Sequence, residues 1–168
     1  MMGFGEYAAF LTRQAAACHT LLHAGLQEVG RLAQTMAVEY IGREMPEWAP
    51  LSDATLYGFR HPLGFWIPGK VSLGYTGQVS GTDPLLRTGK MRDSIEVDVT
   101  DLKLVLGSPY KVVLFQEMGT HNPLTGDIPP RPVLALAMKN SLEHAREVFG
   151  GIALAILVPT RVTLGRRP

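Results

Sequence analysis

The chain has 168 residues, of which 46% are hydrophobic and only 18% charged, with 16 Lys and Arg against 15 Asp and Glu. That length fits one domain with a substantial core, and the near-zero charge balance excludes the basic footprint that free nucleic-acid binding needs. A single cysteine, Cys18, excludes both an internal disulfide framework and a cysteine-based zinc site.

So little charge on a domain of this size predicts apolar surface covered by partners. No basic stretch precedes an apolar run near Met1, so no signal peptide is expected. The longest apolar run, residues 152–158, is too short to span a bilayer. The expectation is a soluble protein made in the cytoplasm.

The first 45 residues read as one long helix. Phe4, Tyr7, Leu11, Ala15, Cys18, Leu22, Leu26, Val29, Ala33, Met36 and Tyr40 recur at steps of three and four, which places them in one stripe. The stripe is wide enough to pack on a sheet and on a neighbouring subunit, with Cys18 as a buried thiol. Gly25 and Gly30 each cost a helix about 1 kcal/mol relative to Ala and mark a bend or a close backbone approach. Pro46 is the expected stop.

Ser52 caps a short helix over residues 53–60. Residues 61–83 mix glycines and prolines with scattered aromatics and read as a long loop or extended hairpin, a mobile insertion that orders on assembly. Within it Phe65, Trp66 and Tyr75 are candidate interface anchors. Thr88 caps one helical turn to Asp93. Residues 94–100 alternate strictly, Asp101 turns, and residues 103–107 return, which is an antiparallel hairpin. Ser108-Pro109 reads as a helix start, and Gly119 as a left-handed cap after Met118. A last helix from residue 131 or 132 reaches Phe149, where Gly150-Gly151 interrupts it. Residues 152–158 are further helix or a strand, and the tail from Pro159 is mobile. The fold class is α+β, with a small antiparallel sheet packed by a long N-terminal and a C-terminal helix in a single domain.

Chemistry is hard to find. His19 and His23 share a helix face, but the zinc-protease pattern needs Glu directly after the first His, and Thr20 stands there. Thr88-Gly89-Lys90 lacks the earlier glycine and the following hydroxyl of a phosphate-binding loop. No Gly-x-Ser-x-Gly elbow occurs. Glu96, Asp98 and Asp101 fit the solvated face of a hairpin. The expectation is no enzyme, no metal and no cofactor.

Residues 110–136 invite a different reading. Glu117-Met118-Gly119-Thr120 closes a helix, a polar loop with His121, Asn122 and Asp127 follows, and Pro129-Pro130-Arg131-Pro132 enters the next helix. A capped helix followed by a stiff connection accounts for these residues; prolines that hold such a loop extended also lower the entropy lost on binding, so residues 120–131 are equally a candidate docking loop. Upstream lie Arg87-Thr88-Gly89, Arg92 and Ser94, and before them Trp48-Ala49-Pro50-Leu51-Ser52 with Thr55.

In that order these pieces resemble the tail-completion, or virion morphogenesis, proteins of long-tailed bacteriophages. The resemblance covers roughly residues 48–138 and rests on Tyr110, Glu117, Gly119, Thr120, Arg131 and Pro132, with Arg87, Thr88, Gly89, Arg92 and Ser94 upstream. The glycine-rich residues 61–83 and an apolar C-terminal tail depart from it. It implies a structural protein of the virion neck that joins the tail to the DNA-filled head. The implied partners are copies of itself in a ring, six-fold by expectation, a head–tail connector, adaptor or stopper, and the tail terminator or tail tube. DNA would pass through the channel without sequence-specific binding, and no membrane is involved. Two other readings stand beside it: a tail-terminator ring protein, and a small cytoplasmic enzyme or ligand-binding domain using His19 and His23.

Overall fold

The computed structural model describes residues 3–69, 85, 88–122 and 126–157. It is an α+β fold in which a long N-terminal helix, α1 (Phe4–Tyr40), runs beside a C-terminal helical pair, α5 (Leu134–Asn140) and α6 (Leu142–Leu157). Between them lie two short helices, α2 (Asp53–Tyr57) and α3 (Lys90–Asp93), and the two-turn α4 (Lys111–Met118). Among the described residues the strands pair as three separate antiparallel hairpins: β1 (Gly58–Arg60) with β2 (Trp66–Pro68), β3 (Glu96–Thr100) with β4 (Lys103–Gly107), and β5 (Thr120–Asn122) with β6 (Gly126–Ile128).

The core sits where the second half of α1 meets α5, α6 and the β3–β4 hairpin. Ala37, Ile41, Trp48, Met91, Ile95, Val113, Val133 and Ala137 form one buried cluster. The packed face of α1 is made of small residues, which lets its neighbours come close. A Cβ on Gly25 would stand 2.8 Å from Ile152 Cδ1, and one on Gly30 would stand 2.7 Å from Leu104 Cδ1. Both glycines therefore mark close approaches. Polar ties reinforce the packing: Gln34 Nε2 donates to the Ile95 carbonyl at 2.8 Å, and Asn140 Nδ2 to Tyr40 Oη at 2.8 Å.

The β3–β4 hairpin matches its sequence pattern, with Val97 opposite Leu106 and Val99 opposite Leu104. Asp101 makes the turn at φ +54°, a left-handed conformation that aspartate tolerates better than most residues.

Several boundaries differ from the sequence reading. α1 ends at Tyr40, well before Pro46, because Ile41 turns extended and Gly42 takes φ +98°. α2 stops at Tyr57, where Gly58 at φ +94° begins β1. Its Ser52 cap holds, with Oγ accepting from Thr55 N at 3.3 Å. α3 is capped by the left-handed Gly89 and not by the Thr88 side chain. Ser108 accepts the Tyr110 N–H at 3.0 Å, which closes a turn ahead of the helix and moves the start of α4 to Lys111. The last helix breaks at Ser141, and Gly150-Gly151 lie inside α6, so residues 152–157 are helical. Part of the 61–83 segment is the β1–β2 hairpin; residues 70–84 and the tail from Pro159 lie outside the described residues.

Candidate docking face

Three stretches far apart in sequence meet at one joint. The first is Trp48-Ala49-Pro50, the second the end of α4 with Gly119, and the third Arg131-Pro132-Val133 leading into α5. The joint forms because α5 has no cap of its own. Its N-cap is Val133, whose side chain can accept no hydrogen bond. The first N–H groups of any helix need an acceptor, and here a distant carboxylate supplies it. Glu117 Oε1 accepts from Val133 N at 2.6 Å and from Leu134 N at 2.5 Å, while Oε2 accepts from Ala135 N at 3.4 Å.

Arg131 works in the opposite direction. Its side chain is 6% exposed, and Nη2 donates to the carbonyls of Ala49 at 3.0 Å and Pro50 at 3.1 Å. Its own N–H donates to the Gln116 carbonyl at 2.6 Å. Trp48 Nε1 then closes the circuit by donating to the Pro132 carbonyl at 3.2 Å. Burial pushes the Arg131 pKa below its ordinary value, through desolvation of the charged form. Among the described residues, no carboxylate lies within ion-pairing distance of it. Beside the guanidinium is a cleft of about 220 Å³ lined by Glu44, Met45, Pro46, Trp48 and Leu51, room for a single side chain.

Gly119 directs the chain out of α4. It has φ +71° with ψ 171°, so the φ is positive as expected, but the chain leaves extended into β5 instead of curling into a left-handed cap. A Cβ there would stand 2.7 Å from the Ile128 carbonyl oxygen and 3.0 Å from Pro130 N.

The loop between Gly119 and Pro129 is a small hairpin. Thr120 pairs with Ile128, His121 with Asp127 and Asn122 with Gly126. The exposed His121 and Asp127 side chains bond across it through Nδ1 and Oδ1. Residues 123–125 lie outside the described residues, and so does the side chain of Asn122.

The other candidate residues are distributed differently. Phe65 and Trp66 are 52% and 58% exposed on the β1–β2 hairpin, and the Phe65 ring stacks on His61 at a centroid distance of 4.4 Å. Arg92 is exposed on α3 beside Asp93, 3.6 Å away. Tyr75 and Arg87 lie outside the described residues. His19 and His23 lie on α1, and among the described residues no three His, Cys, Asp or Glu side chains converge as a metal-ligand set.

Sequence reasoning missed the circuit of Glu117, Trp48 and Arg131. A signal for its first member was present: no Ser, Thr, Asp or Asn occupies positions 131–133, so the α5 cap has to come from elsewhere. The α1 stripe, expected to reach beyond the sheet to a neighbouring subunit, is apolar and uncovered at its N-terminal end. Phe4 is 90% exposed, and Tyr7, Leu11 and Leu21 are all open to solvent. Cys18 on the same stripe is only half-buried, not the core thiol expected. No family model, curated protein or solved structure matches this chain.

Proposed function

We propose that this chain is a structural protein of a bacteriophage neck, a tail-completion protein that joins the tail to the DNA-filled head as part of a ring. The observation that carries this reading is the joint. Three of the separated pieces that resemble the phage family, Trp48-Ala49-Pro50, Glu117-x-Gly119-Thr120 and Arg131-Pro132, are bonded to one another, and the β5–β6 hairpin leaves from the point where they meet. A stiff joint with an exposed polar hairpin suits docking, because little entropy is lost when a partner is engaged.

In this reading Glu117 and Arg131 hold the geometry, Gly119 aims the hairpin, and His121 with Asp127 presents a polar tip to the neighbouring neck protein. Exposed apolar side chains such as Phe65, Trp66, Leu114 and Met118 supply area for neighbours in the ring. The work is assembly, with no bond made or broken. Among the described residues no helix is long and apolar enough to cross a membrane, and the location proposed is the virion.

The test replaces residues 122–127 with a short Gly/Ser linker in the parent phage. Surface connections tolerate such changes, so the purified variant should melt like the parent. Particles should stall as DNA-filled heads and separate tails. Normal titres of infectious phage would refute the docking role.

A further inference from the structure

We infer that the free N-terminal half of α1 is a self-association surface, on which a second copy of this chain lays the same helical segment antiparallel. This contact is independent of the neck reading and concerns the isolated protein in solution.

The N-terminal half of α1 is poor in charge. Between residues 4 and 22 the helix carries only Glu6 and Arg13 as fully charged side chains, although nearly every residue there is exposed. Helices that face water on all sides carry charge around their circumference; this one carries an apolar stripe. Phe4, Tyr7, Phe10, Leu11 and Leu21 together leave on the order of 500 Å² uncovered, taking about 200 Å² for a fully exposed large side chain. With the intervening alanines and Cys18 this approaches the roughly 800 Å² per partner of a standard interface.

The orientation follows from the fold's own packing. Phe4, Leu11, Cys18 and Gly25 lie seven residues apart on one face. At Gly25 that face is already covered: Phe149 and Ile152 of α6 stand against it. α6 runs antiparallel to α1, since His144 Nε2 meets Glu28 Oε1 at 3.3 Å while Ile152 reaches the earlier Gly25. The described part of α6 ends at Leu157, with Leu154 and Ile156 still exposed. An antiparallel helix continuing that line covers the rest of the stripe.

Side-chain size selects a second copy as that helix. The stripe is bulky at its start, with Phe4, Tyr7 and Leu11, and small further on, at Ala15 and Cys18. Two copies laid antiparallel set the bulky end of each over the small run of the other, which permits close packing. A parallel pair sets bulk against bulk. The pairing is self-complementary, as a two-fold contact must be.

Sedimentation of the full chain should give twice the 18.3 kDa protomer mass at micromolar concentration. Leu11→Glu with Tyr7→Glu should return it to one protomer while circular dichroism and melting show the core intact. Orientation is read from spin labels in a Cys18→Ala background. Two labels at Thr12→Cys should lie close together, and two at Gly5→Cys farther apart by on the order of 10–20 Å, from a rise of 1.5 Å per residue in each helix. A monomeric parent chain overturns the inference. So does a dimer that survives the double Glu variant, or one whose two label pairs are equally spaced.

Discussion

Glu117 Oε1 accepts the backbone N–H of Val133 at 2.6 Å, so the last turn of α4 caps the first turn of α5. The bond spans sixteen residues and closes the β5–β6 hairpin between its ends. A carboxylate at a helix N-terminus satisfies orphan donors and interacts favourably with the helix dipole.

Glu117→Ala should therefore cost about 2–3 kcal/mol, the loss of charge-assisted hydrogen bonds together with donors left unmet. Glu117→Gln keeps one acceptor oxygen and should cost about 1 kcal/mol. In a thermal melt each kcal/mol should lower Tm by roughly 2–4 °C for a domain of this size. Equal melting of parent and Ala variant would show that α5 is capped by water.

Gly119→Val should cost about 2 kcal/mol or more. The residue sits at φ +71°, and an added Cβ would press on the Ile128 carbonyl oxygen at 2.7 Å. Chemical denaturation measures it, and an unchanged midpoint would mean that the chain can leave α4 by another route.

Arg131→Met should destabilise by about 1–3 kcal/mol, since the Ala49 and Pro50 carbonyls lose their donor while the burial cost of the cation is relieved. Burial lowers the folded pKa of Arg131, so deprotonation would favour the fold only as pH rises through that value. The guanidinium stays charged far above neutral pH. Its burial cost is then constant at lower pH, and the stability difference between Met variant and parent should be flat from about pH 5 to 9. A difference that changes across that window would point to a titrating partner of Arg131.

The two glycines of α1 that meet neighbours should behave opposite to an open one. Gly5 has nothing within 4 Å of an added Cβ, so Gly5→Ala should stabilise by about 0.5–1 kcal/mol through helix propensity. Gly30→Leu forces its side chain into Val97 and Leu104 and should cost about 1–3 kcal/mol beyond any propensity gain. Melts of the two variants that shift in the same direction would contradict the close approach.

The parts of this architecture legible in sequence are those governed by local pattern. Alternation at residues 96–100 gave the β3–β4 hairpin, and steps of three and four gave α1, because period is set by the backbone alone. Boundaries shifted wherever a competing backbone preference acted: Gly42 and Gly58 at positive φ shortened α1 and α2, and helix packing carried α6 straight through Gly150-Gly151. Part of the joint was hidden because several of its bonds join residues some 80 positions apart, as Arg131 does with Ala49 and Pro50. In sequence Arg131 could either fix the geometry of the loop or pair with a partner's carboxylate; its polar head is spent on the Ala49 and Pro50 carbonyls.

Cryo-electron microscopy of the parent particle tests the neck assignment most directly. The account predicts a ring of copies of this chain between the head portal and the tail tube, with each β5–β6 hairpin touching an adjacent neck protein. Complete neck density in which no copy of this chain can be placed would contradict it.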